Sequence, residues 1–193
     1  MIGLDDTSSL SVVYAMSESE IEVVLRDEKV FITCQENADV LLKGGYGSAS
    51  EGTVGSTLAS YEVLHLLNEG RIRVVDSVTG ETLDLRSLLK RLETTDSEAW
   101  TKYLIYRDLR SRGYVVREGV GWGITFRAYE RGAYGEKAAK FIVFAICEGN
   151  PIPVDRLRET LEMAQNMKKE IIVAVMDRRG EMVYYSLSQL DLR

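Results

Sequence analysis

Cationic and aromatic side chains gather in the second half of this 193-residue chain. Arg107, Arg110, Arg112 and Arg117 lie close together, Arg127, Tyr129 and Arg131 follow, and Lys168 and Lys169 come later. Guanidinium groups pair bidentately with phosphate, and tyrosines stack on bases or transfer protons, so the set has the chemistry of an RNA-contacting surface. The same residues on a solvated face would be ordinary surface charge, and sequence separation alone leaves both readings open. Histidine-dependent chemistry has a single candidate, His65, whose helical, apolar surroundings assign it to packing. Cys34 and Cys147 lie in apolar runs without paired metal-ligand spacing, so no metal site is expected. The glycine-rich stretch LLKGGYGSASEG at 41–52 lacks the lysine and hydroxyl of a phosphate-binding loop and reads as a loop of permissive backbone.

The formal net charge of -6 speaks against a phosphate-binding protein only as an average. Residues 1–96 carry 8 basic and 17 acidic side chains, whereas residues 97–193 carry 16 and 13, so the halves stand at -9 and +3. The basic half could face an anionic partner while the acidic half supplies solubility or meets a basic protein surface. The longest apolar run, Phe141–Cys147, falls far short of the roughly 20 residues that span a bilayer. With no leader-like segment and no disulfide framework, the expected location is the cytoplasm, away from any membrane.

These side chains need elements to position them. Alternating apolar runs predict strands at 10–16, 21–25 and 30–34, the last two joined by Arg26-Asp27-Glu28-Lys29. Helical spacing of Leu58, Tyr61, Leu64 and His65 or Leu67 predicts a helix ended by Gly70, with Ser60, Glu62 and Asn68 facing water, then a strand at 71–75 and a short helix at 83–92. Thr94-Thr95-Asp96-Ser97 reads as the linker between a small α+β domain, 1–95, and a second domain, 97–193. In the latter, helices are predicted at 98–111 and 154–168, and strands at 114–118, 124–130, Phe141–Cys147, 171–177 and Met182–Leu187. Phe126 and Phe141 fit buried strand positions, and Tyr184 and Tyr185 must point to opposite sheet faces. The fold class is α/β.

Residues 103–129, YLIYRDLRSRGYVVREGVGWGITFRAY, resemble the catalytic-domain signature of archaeal tRNA-splicing endonucleases. The Ala138-Ala139-Lys140-Phe141-Ile142-Val143 strand start, the helix end at 164–169, the AVMD and YY elements of 171–185 and the LLKGGYG loop follow that family's order. The resemblance covers nearly the whole chain. It implies a restriction-endonuclease-like second domain, a mixed sheet flanked by helices, and metal-independent, cofactor-free cleavage of precursor tRNA at bulge–helix–bulge elements to a 2′,3′-cyclic phosphate and a 5′-hydroxyl. In the family a tyrosine activates the ribose 2′-hydroxyl, a histidine protonates the leaving 5′-oxygen and a lysine stabilises the transition state.

The tyrosine falls on Tyr129 and the lysine on Lys169, with Lys168 as the register alternative. The histidine position holds Ala138, whose methyl group donates no proton. The loop Gly119-Val120-Gly121-Trp122-Gly123 and the stretch Gly132-Ala133-Tyr134-Gly135 also depart from the pattern. The resemblance therefore implies a non-catalytic structural subunit, paired with a catalytic paralogue in a heterotetramer. Tyr129, Ala138 and Lys169 would be a vestigial site, and Arg107, Arg110, Arg117 and Arg127 candidate RNA contacts. Glu148 and Asp155, in the acidic connection, and Tyr184 and Tyr185, on a sheet edge, would serve assembly. The alternatives are a self-sufficient RNA endonuclease with a substitute acid and a stand-alone RNA-binding assembly protein.

Overall fold

The computed structural model describes residues 20–49, 56–121 and 123–189. The strand expected at 10–16 lies outside them. Strands β1 (Ile21–Arg26) and β2 (Lys29–Ile32) pair antiparallel, with Val23, Leu25, Val30 and Ile32 turned to the core. Their two-residue turn places Asp27 and Glu28 at positive φ, the backbone twist that matches a tight hairpin. Helix α1 (Gln35–Lys43) corrects the expected loop, whose first three residues complete it. Its apolar face is thin, with Ala38 and Leu41 alone buried, and so left little periodicity to read.

Short strands β3 (Ser48–Ala49) and β4 (Ser56–Leu58) precede α2 (Ser60–Asn68), so Leu58 belongs to a strand rather than to the helix. Strands β5 (Ile72–Asp76) and β6 (Thr82–Leu83) complete a sheet of order β3-β4-β2-β1-β5-β6, and α3 (Leu85–Leu92) follows. The stretch 94–97 is a hydrogen-bonded turn; Asp96 accepts from Ser60 and from Lys102 Nζ at 2.9 Å.

Helix α4 (Ala99–Ser111) leads into β7 (Val115–Glu118), β8 (Phe126–Tyr129) and β9 (Phe141–Cys147). Helix α5 (Val154–Asn166) crosses to β10 (Glu170–Met176), and β11 (Met182–Leu187) closes a sheet of order β11-β10-β9-β8-β7. Only the β9–β10 pair is parallel in this sheet, as its helical crossover requires. This is a mixed α/β architecture with helix-flanked sheets, consistent with the restriction-endonuclease-like form expected.

Helices α1, α2 and α4 stop alike. Gly45, Gly70 and Gly113 take positive φ, and the next residue donates back to Leu41, Leu66 and Leu109, the Schellman pattern. At α5 the same position holds Lys168 (φ 53), and Lys169 donates to the Ala164 carbonyl at 2.9 Å.

One apolar core runs through both halves. It includes Val23, Leu64 and Ile72 from the first and Tyr106, Phe126 and Val143 from the second. A smaller core of Ile124, Ile142, Phe144, Ala164, Ile171 and Val173 fills the opposite face of the second sheet beneath α5. Hence β9 buries Ile142, Val143 and Phe144 consecutively, covered on both faces as an interior strand of a crossover unit must be. Phe126 is fully buried and Phe141 partly so. No described helix is long and apolar enough to cross a membrane.

Candidate functional site

The register of the second sheet gathers Tyr129, Ala138 and Lys169 at one end. Ala128 pairs with Phe141, and Phe141 with Glu170. The Lys140 amide donates to the Ala128 carbonyl, and the Glu170 amide to the Lys140 carbonyl, each at 3.2 Å. The end of β8, the approach to β9 and the approach to β10 therefore lie side by side. Tyr129 is half-buried and meets Tyr134 edge-to-face, with ring centroids 5.2 Å apart. Ala138 is exposed and Ala139 is buried against the sheet. Lys169 is half-buried, whereas Lys168 points outward from its left-handed cap.

This end of the sheet has no histidine. Lys140, two residues from Ala138, bonds Glu130 at 2.9 Å and lies 3.9 Å from Glu170. The Glu130 hydrogen bond and charge hold the ammonium above the usual lysine range, against release of its proton. His65 is elsewhere, in the seam between the halves, against the rings of Tyr46 and Tyr106. Burial pushes it down to about 4, with Arg110, Arg71 and Arg107 adding to the effect and Glu69 opposing it. The neutral ring is thus a packing group at ordinary pH.

The four arginines singled out in the sequence do not converge. Arg117 turns inward, bonding Glu62 at 3.1 Å and the carbonyls of Gly45 and Gly47. Arg110 lies 4.1 Å over the Tyr46 ring and donates to the Gly44 carbonyl at 3.1 Å. Both tie the second half to the glycine loop of the first. Arg127 donates to the Glu118 carbonyl across the β7–β8 hairpin, and only Arg107 is an exposed guanidinium on α4.

The assembly candidates divide similarly. Asp155 is exposed in the first turn of α5, while Glu148 accepts the backbone N–H of Arg178 at 3.2 Å. Strand β11 is a sheet edge. Tyr184 turns in, donating to Asp108 at 2.6 Å beneath Arg112, and Tyr185 turns out beside Val183, 57% and 46% exposed. The expected opposition of the two tyrosines holds.

Sequence reasoning missed the fate of Glu62. Placed on the water face, it is buried, accepts the Gly47 and Ala59 amides at 3.0 Å and pairs with Arg117. Burial raises its carboxyl above the usual range, and those amides and Arg117 oppose the rise. A lone carboxylate inside the apolar run YEVLHLL was the available signal, since a buried charge requires a partner.

Comparisons with known proteins identify a family. Residues 99–184 match the tRNA intron endonuclease, catalytic C-terminal domain, a span that begins with α4 and ends within β11. The chain is 30% identical over 178 residues to the tRNA-splicing endonuclease of Methanococcus maripaludis, covering 92% of this chain and 99% of that protein. It is 29% identical over 164 residues to the Thermococcus kodakarensis tRNA-splicing endonuclease, covering 84% and 94%. With that of Methanosarcina acetivorans it shares 30% identity over 164 residues, which span 84% of this chain and 45% of that protein.

Proposed function

The chain belongs to the tRNA-splicing endonuclease family, and we propose that within it this protein is the structural subunit, assembling with a catalytic paralogue to hold a bulge–helix–bulge precursor tRNA for intron excision. The observation that carries the proposal is Ala138. It occupies the place at which the resemblance implies the proton-donating histidine, at the sheet end shared by Tyr129 and Lys169.

A methyl group there leaves the departing 5′-oxygen without a donor, and positioned proton transfer contributes about 10²–10⁴-fold to such reactions. Lys140, two residues from Ala138, is held by Glu130 in the state that keeps its proton. Tyr129 and Lys169 then act as RNA-facing or fold-supporting groups. The exposed face of β11 and the acidic Glu148–Asp155 connection provide the surfaces for pairing. The N-terminal and C-terminal halves act together, because Arg117 and Arg110 fasten one to the other.

The test is reconstitution. Each chain alone and the mixture of this protein with a histidine-containing paralogue are incubated with bulge–helix–bulge RNA, and the complex is sized. The expected result is a four-chain complex that cuts while this chain alone does not. Cleavage by this chain alone, or full activity of the paralogue without it, would overturn the proposal.

A further inference from the structure

The opposite end of the second sheet carries a cleft remote from Tyr129, Ala138 and Lys169. It has a volume of about 500 Å³ and lies between α4 and the β10–β11 turn, with Leu104, Cys147 and Met176 in its lining. At its rim are Trp100 and Arg107 from α4 and Arg178 and Arg179 from the turn. Seven residues of β9 separate it from the Tyr129 end, about 20 Å at the rise of a strand.

Trp100 is 38% exposed, an unusual position for an indole on a helix surface, and its ring is held at a tilt to Tyr103, centroids 5.3 Å apart. Arg107 lies over the other part of that ladder, 5.5 Å from the Tyr103 ring. Arg178 and Arg179 are exposed, and among the described residues no carboxylate pairs with Arg107, Arg178 or Arg179. The two acids at the cleft have other duties. Asp177 accepts the amides of Arg179 and Glu181 at 2.8 Å, and Glu148 accepts that of Arg178. Glu148 and Asp177 are thus engaged by the backbone of the turn, whose guanidiniums line the cleft.

We propose that this cleft is a second RNA-binding site, which takes an unpaired nucleotide with its base on the Trp100 ring and its flanking phosphates on Arg107, Arg178 and Arg179. A base has a π-face for any sequence, and guanidinium groups match phosphate bidentately, so an aromatic platform ringed by unpaired arginines suits single-stranded RNA. An acidic protein segment would satisfy the arginines and leave the indole uncovered. The inference rests on the RNA-positioning role proposed above and adds a contact to it remote from Tyr129, Ala138 and Lys169.

The experiment uses the full chain with Trp122→Phe, so that Trp100 is the sole indole, and a twelve-residue oligouridylate as the probe. Binding should quench Trp100, and a fully paired RNA duplex of equal length should quench it less. Arg178→Ala with Arg179→Ala should weaken oligouridylate binding by roughly tenfold or more and lower the magnitude of the logarithmic salt slope by about 1.4, two phosphate contacts at about 0.7 each. Trp100→Ala should weaken binding by roughly tenfold with the fold unchanged by circular dichroism. Lys29→Ala, an exposed cation of the first sheet, should leave the quenching as it was.

Unchanged affinity and quenching in the arginine double variant would overturn the site. So would stronger quenching by polyglutamate than by RNA, which would make the cleft a seat for an acidic protein segment. The two proposals fail separately. Cleft binding without partner-dependent cleavage counts against the structural-subunit reading alone, whereas partner-dependent cleavage with no effect of the cleft variants on RNA binding counts against the cleft alone.

Discussion

Arg117 Nη1 lies 3.1 Å from Glu62 Oε1, joining a strand of the second half to a helix of the first through an ion pair whose side chains are 18% and 3% exposed. The same guanidinium reaches the Gly45 and Gly47 carbonyls, and the same carboxylate takes the Gly47 amide. The pair therefore fixes the glycine loop against β7. Removing one member of a buried pair leaves the other charge without compensation, at a cost of about 3–5 kcal/mol. Arg117→Ala should lower the unfolding free energy in urea by that amount. Arg117→Lys should recover only part, since an ammonium cannot span the carboxylate and two carbonyls with a planar fork.

His65 makes stability depend on pH in a direction set by its environment. Its folded-state value of about 4 lies below the ordinary 6.5, so between these values the unfolded chain binds the proton more readily. The contribution of the neutral ring is therefore complete above about pH 6.5 and is lost as pH falls towards 4. Its size is roughly 2 kcal/mol once solvent screening is discounted. His65→Leu should flatten the difference between urea midpoints at pH 7 and pH 4.5 relative to wild type; an identical pH profile in the variant would refute this account.

Two positive-φ positions should respond oppositely to substitution. A Cβ at Gly45 (φ 77) would stand 2.4 Å from Val115 Cγ1, a stiff β-branched neighbour. Gly45→Ala should cost about 2–4 kcal/mol through collision and backbone strain together. At the cap of α5 the strain is already present in Lys168, so Lys168→Gly should stabilise by about 1 kcal/mol. Thermal unfolding of the two variants checks both signs.

Ala138→His tests the proposed vestigial site itself. In a reconstituted complex whose catalytic partner has lost its own histidine, this substitution should raise bulge–helix–bulge cleavage by about 100-fold or more, measured by single-turnover kinetics. Adding Tyr129→Phe should remove most of that gain, because the regained acid still needs a base at the 2′-hydroxyl.

The outer face of β11 should prove adhesive. Tyr185 and Val183 stand exposed on an edge strand, while Tyr184 is engaged with Asp108. Tyr185→Lys places a charge where an edge-to-edge or face-packed partner would sit. It should shift the assembled complex towards smaller species in sedimentation velocity, with the melting temperature of the free chain little changed.

Local pattern determined much of this protein. Apolar runs and turn residues marked β1, β2, β9 and β11, Gly70 marked a helix end, and the period of a strand alone placed Tyr184 and Tyr185 on opposite faces. The inventory of chemistry was equally legible: a single histidine, and alanine at 138 in a run resembling a nuclease signature. These features depend on hydrogen bonds and side-chain directions within a few residues, which composition and spacing encode directly. What tertiary structure decided was the partner of each charge. Arg110 and Arg117, plausible RNA contacts by type, face Gly44 and Glu62, separated from them by 66 and 55 residues, and Glu62 itself leaves the water face to meet Arg117. Trp100 and Arg178 share a cleft because the β10–β11 turn closes over α4. A guanidinium satisfies phosphate, carboxylate and carbonyl alike, so its residue type names the chemistry, and only the packing of the two sheets decides which acceptor it meets.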